Sequence, residues 1–118
     1  MNIPAWLGWL PFGQVPEMSP QQLNKNLSEF CLVDVRTQPE FNKSHIPGAI
    51  SIPLHRLTQK CANSMKCGKP IICICLSAHR SKPAVRKFKR AGIPCYELQG
   101  GMLAWWKQNL PTETGNQP

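Results

Sequence analysis

The chain has 118 residues, 42% of them hydrophobic, and 14 Lys and Arg against 6 Asp and Glu give it a net charge of +8. That length supports one ordinary core and leaves no room for a second active domain. The charge does not point to nucleic acid, because no reader helix, aromatic platform or zinc pattern accompanies it.

The elements follow in chain order. Residues 1–13, MNIPAWLGWLPFG, form an apolar extension interrupted by two prolines and two glycines. No basic region precedes it and no cleavage site follows, so a signal peptide is not expected, and spanning a membrane would need about 20 apolar residues. Trp6, Leu7 and Trp9 are expected to pack back onto the domain; peripheral membrane contact or insertion into a partner is the alternative. Ser19-Pro20-Gln21-Gln22 predicts a capping box with proline at the first helical position, opening a helix to about Leu27 with Leu23 and Leu27 inward. Cys31 to Val35 reads as a strand, and Thr37-Gln38-Pro39-Glu40 as a second capping box before a short helix through Phe41 and Asn42. After the turn at Ile46-Pro47-Gly48, Ala49 to Ile52 predicts a short strand and Pro53 to Leu57 a helical turn.

Pro70 to Ile74 is a β-branched run bounded by Gly68 and Lys69, too short for a helix, and reads as a buried strand. Ser81 to Ala91 places Ala84, Val85, Phe88 and Ala91 on one helical face, with Gly92 at the stop. Cys95 to Leu98 reads as the last strand, and Met102 to about Asn109 as a closing helix with Leu103, Trp106 and Leu110 on one side. Pro111 to Pro118 is polar. Strands alternating with helices predict parallel strands in a three-layer α/β/α domain.

Between the strand and the basic helix lies Cys75-Leu76-Ser77-Ala78-His79-Arg80-Ser81. Cys75 falls at the carboxyl end of a strand and faces the amino end of a helix, the place where ligands collect on an open α/β sheet. Free backbone N–H groups and the helix dipole supply partial positive charge there, and Arg80 adds a full one. Such surroundings favour the thiolate, the nucleophilic form of cysteine, and would also cradle an anionic substrate. Asp34 and Arg36 could lie near this pocket. Lys82, Arg86, Lys87, Lys89 and Arg90 on the following helix read as a solvated face; attraction of small anions or of an acidic protein partner is the sharper reading.

Six cysteines raise the question of disulfides, but Cys31, Cys73 and Cys95 sit in apolar runs and read as small core residues. Reduced thiols and a cytoplasmic location are expected. Cys61 and Cys67 flank a stretch with Lys, Asn and Ser and read as a loop-borne, exposed pair; no zinc site or other metal is expected.

Several ordered motifs together resemble the rhodanese family of sulfurtransferases in its compact single-domain form. Leu32-Val33-Asp34-Val35-Arg36 with Glu40-Phe41 is similar to one family signature, and His45 to Ile50 followed by Ile52-Pro53 to a second. Cys75 to Ser81 is similar to the active loop, and Gly100-Gly101-Met102-Leu103-Ala104-Trp105 to the closing segment. The resemblance implies a rhodanese-like domain over 14–111, with a mainly parallel five-stranded sheet, the extension 1–13 before it and a tail 112–118 after it. It further implies that Cys75 takes a sulfane sulfur from an anionic donor such as thiosulfate or a persulfide and passes it, as a persulfide, to cyanide or a thiol. In that scheme Leu76, Ser77, Ala78, His79, Arg80 and Ser81 form the cradle, and Asp34 and Arg36 give structural support near it; no cofactor is needed, and a monomer is expected. The spacing from Cys75 to Arg80 is one residue shorter than in phosphatases of similar architecture, which suits sulfur better than phosphate. Two departures stand in the loop. Ala78 replaces a common glycine and Leu76 a common basic residue, so a catalytically weak module for protein interaction or sulfur carriage is the competing reading.

Overall fold

A computed structural model describes residues 16–65, 67–77 and 81–115. The expectation for residues 1–13 lies outside them, as do Ala78, His79 and Arg80 of the loop. Five strands, β1 (Glu17–Met18), β2 (Cys31–Asp34), β3 (Ile50–Ser51), β4 (Ile71–Ile74) and β5 (Cys95–Leu98), form one sheet in the order β1-β5-β4-β2-β3, and every pairing is parallel. Among the described residues five α-helices accompany them: α1 (Pro20–Lys25), α2 (Gln38–Lys43), α3 (Gln59–Ser64), α4 (Lys82–Arg90) and α5 (Gly101–Lys107).

A strand pairing on both edges and covered on both faces must be apolar throughout, and all four residues of β4 are buried. Alternate residues then serve two different cores. Leu32, Ile72, Ile74, Tyr96 and Leu98 pack with Leu23 of α1, Phe41 of α2 and Met102 and Trp105 of α5. Val33, Val35, Ile71, Cys73, Cys75 and Cys95 pack with Ala62 of α3 and Ala84, Val85 and Phe88 of α4. The three-layer α/β/α arrangement follows directly. Among the described residues no helix is long and apolar enough to cross a membrane.

Local rules account for most element ends. Thr37 makes the full reciprocal capping box with Glu40, whereas Ser19 caps Gln22 N–H without the return bond to its own backbone. Helix α1 ends at Lys25, and a separate 3-10 turn carries Leu27 to Glu29.

Two further expectations are corrected, and one element appears that the sequence reading did not name. Cys61 is not loop-borne: Thr58 accepts a bond from Cys61 N–H and opens α3, so Cys61 lies half-buried on a helix while Cys67 is exposed. The buried face of α5 carries Met102 and Trp105, and Leu103 and Trp106 are 52% and 37% exposed. In a helix of seven residues the 102/105 and 103/106 pairs have the same spacing, and the start at Gly101 selects the first. Finally, Glu17–Met18 forms an edge strand, fixed by Glu97 N–H to the Pro16 carbonyl and Gln99 N–H to the Met18 carbonyl.

Candidate active site

Cys75 directly follows β4 and is 1% exposed. Its backbone is fixed from α5: Met102 N–H donates to the Cys75 carbonyl at 2.9 Å and Leu103 N–H to the Leu76 carbonyl at 3.0 Å. That approach requires glycine at 101. Its φ is +59°, and a Cβ there would stand 2.5 Å from the Cys75 carbonyl oxygen.

The Cys75 side chain faces α4. Its Sγ lies 3.6 Å from Ser81 Oγ, with the thiol as donor. Ser81 stands at the N-cap of α4 and makes no side-chain cap; its hydroxyl donates to Glu97 Oε2 at 2.7 Å. The other oxygen of Glu97 accepts from Lys82 Nζ at 3.0 Å. Ser81 and Glu97 are fully buried, whereas the Lys82 side chain is 45% exposed. A buried carboxylate is tolerated only when paired and hydrogen-bonded, and Glu97 is both.

One register step away, Cys73 pairs with Glu97 across the strands, and its Sγ lies 3.4 Å from Cys95 Sγ. Burial first, and then the Cys95 thiol, push Cys73 well above the ordinary 9.0, so it stays a protonated core thiol. Cys75 is the cysteine that leaves the strand and meets a helix end.

Asp34 and Arg36 do not join this cluster. Arg36 Nη2 donates to Asp34 Oδ2 at 2.8 Å and its Nε to Oδ1 at 3.0 Å, a two-pronged buried pair that Nη2 extends to the Ser44 carbonyl. The guanidinium lies 5.8 Å from the ring of Trp106, whose Nε1 donates to Ser44 Oγ. This group ties β2 to the end of α2 and to α5. His45, close by, stacks on Phe41 with ring centroids 3.8 Å apart.

Of the loop residues singled out from the sequence, Ser81 is brought to Cys75, Leu76 and Ser77 follow it half-buried, and Ala78, His79 and Arg80 lie outside the described residues. Sequence reasoning missed Glu97, and read Lys82 as part of the basic helix face without its buried partner. A single acid inside Cys95-Tyr96-Glu97-Leu98 carries no signal of its partner; only the parallel register of β5 against β4 brings it beside the cysteine strand. Among the described residues no group of three His, Cys, Asp or Glu could hold a metal ion.

Comparison with known proteins adds the following. The family model for the rhodanese-like domain matches residues 19–108. A protein from Allochromatium vinosum named sulfurtransferase is 29% identical over 101 residues, covering 82% of this chain and 94% of its own. The Yarrowia lipolytica protein named adenylyltransferase and sulfurtransferase UBA4 is 32% identical over 97 residues, covering 80% of this chain and 24% of its own. The crystal structure of the BH2092 protein from Bacillus halodurans superposes with a TM-score of 0.75 at 28% identity, covering 86% of this chain and 78% of that one. The chain spans from about a quarter to about half of the length of the first curated relatives.

Proposed function

The chain belongs to the family of rhodanese-like domains, and on that premise we propose that it is a sulfurtransferase that carries a sulfane sulfur as a persulfide on Cys75. The observation that carries this reading is the position of Cys75: at the carboxyl end of the central strand, its carbonyl fixed by α5 and its sulfur turned to the amino end of α4. A neighbouring buried cysteine, Cys73, has none of these features and is held protonated by burial.

The chemistry takes two half-reactions. Cys75 Sγ attacks the outer sulfur of a donor such as thiosulfate; an S–S bond forms to Sγ, the donor's own S–S bond breaks, and sulfite leaves with the electron pair. An acceptor, cyanide or a thiol, then attacks the outer sulfur and leaves Cys75 free. Loop N–H groups between Leu76 and Arg80 are assigned to the persulfide anion and Arg80 to the donor's oxygens, by electrostatic stabilisation of charge where it develops. The chain's net charge of +8 favours approach of an anionic donor. The sulfurtransferase name of the Allochromatium relative supports the reaction class.

The test is steady-state thiocyanate formation from thiosulfate and cyanide. Parallel double-reciprocal lines, lost with Cys75→Ser, are expected. Equal rates for the two proteins would overturn the assignment of Cys75.

A further inference from the structure

Among the described residues, Glu97 is the buried charged group on the Cys75 side of the sheet that sulfur transfer, as described, leaves unused. Both of its oxygens are occupied, Oε2 by the Ser81 hydroxyl and Oε1 by Lys82 Nζ. Ser81 has a single hydroxyl proton. With that proton committed to a carboxylate 2.7 Å away, what Ser81 turns toward Cys75 Sγ is an oxygen lone pair. A lone pair accepts from S–H and repels S⁻. The negative charge of Glu97 acts in the same direction, while Lys82 opposes it.

We propose that Glu97 is a positioning residue for the Cys75 proton: through Ser81 it holds the sulfur-free Cys75 as a hydrogen-bond-donating thiol. Its part in catalysis rests on the sulfur-transfer reading above. Loading from thiosulfate then converts the thiol and the dianion into the persulfide anion and hydrogen sulfite. The S–S bond of the donor breaks, the new one forms at Sγ, and the thiol proton departs with sulfite, so charge is conserved. The negative charge settles on the outer sulfur and not on Sγ, the atom that faces Ser81.

Among the described residues, several elements contribute groups to the core that holds Cys75. Helix α4 supplies Ser81 and Lys82, β5 supplies Glu97 and Cys95, and β4 supplies Cys73. On this face β2 supplies Val33 and Val35 and α3 supplies Ala62 and Cys61; α5 supplies the backbone N–H of Met102. The buried Asp34–Arg36 pair is built from the opposite-facing position of β2. His79 and Arg80, outside the described residues, are unchanged in the variants below.

The experiment is the pH profile of iodoacetamide alkylation, read by mass spectrometry at the Cys75 peptide. Glu97→Gln keeps the shape of the side chain, removes the charge and frees the Ser81 proton for sulfur. Its midpoint is expected to fall by about one pH unit, roughly tenfold more thiolate at a given pH. Lys82→Gln changes a half-exposed side chain, leaves the carboxylate uncompensated, and is expected to raise the midpoint. Protection of Cys73 from alkylation in the same spectra reports the fold of each variant. Unmoved midpoints, or shifts of the same sign, overturn the proposal. Sulfur uptake from thiosulfate is measured in parallel with wild type: uptake with unmoved midpoints defeats the role of Glu97 alone, and opposite shifts without uptake defeat the sulfur-transfer reading alone.

Discussion

Among the described residues two carboxylates are fully buried, Asp34 ending β2 and Glu97 within β5, and they are held in opposite ways. Asp34 is gripped by a guanidinium two residues along its own chain, itself buried and further bonded to Ser44. Every partner in that group is a scaffold group, and the face it serves is the one away from Cys75. Glu97 instead bridges a hydroxyl that touches the Cys75 sulfur and an ammonium that reaches solvent. Desolvating a charge costs several kcal/mol in either place. The first carboxylate stabilises connections between elements, and the second connects a reactive atom to a surface charge.

The largest expected effect tests this contrast from the scaffold side. Asp34→Asn leaves the buried Arg36 uncompensated, so urea denaturation is expected to show a loss of about 3–5 kcal/mol. The alkylation profile of Cys75 in that variant should match wild type. A profile shifted as far as that of Glu97→Gln would erase the distinction between the two carboxylates.

A smaller effect is expected where the scaffold touches the site. Gly101→Ala forces a Cβ against the Cys75 carbonyl in a left-handed backbone, with a cost of about 1–3 kcal/mol by overpacking. Unlike Asp34→Asn it should also slow sulfur uptake, because the displaced atoms belong to Cys75 and Leu76. Unchanged uptake would show that α5 merely closes the fold.

The smallest effect lies away from both carboxylates. Burial first, then the hydrogen bond and charge of Cys67, push Cys31 from 9.0 up to about 12 against the opposing charge of Lys69, and burial pushes Tyr96 from 10.0 up to about 12. Above pH 9 the unfolded chain loses these protons while the folded one keeps them. Stability is therefore complete below about pH 9 and falls as pH rises toward 12. Cys31→Ala should flatten that alkaline limb, measured by thermal unfolding, without moving the Cys75 profile.

What the sequence revealed, and what it hid, follows the same division. The apolar run of β2, the β-branched run of β4, the Thr37 capping box and the cysteine at a strand end are local patterns, and local rules read them. Glu17–Met18 is too short to show a period, and the helix Gln59–Ser64 has few apolar positions beyond Cys61 and Ala62. Reading Cys61 for its thiol chemistry obscured its helical place. The pairing of Glu97 with Ser81 spans 16 residues and depends on strand order, which no local pattern encodes.

Intact-mass measurement after exposure to thiosulfate tests the central claim most directly. Wild-type protein should gain the mass of one sulfur atom, located on the Cys75 peptide and discharged by cyanide, and Cys75→Ser should gain none. No gain in wild type, or an equal gain in both proteins, would contradict the assignment of Cys75 as the sulfur-bearing nucleophile.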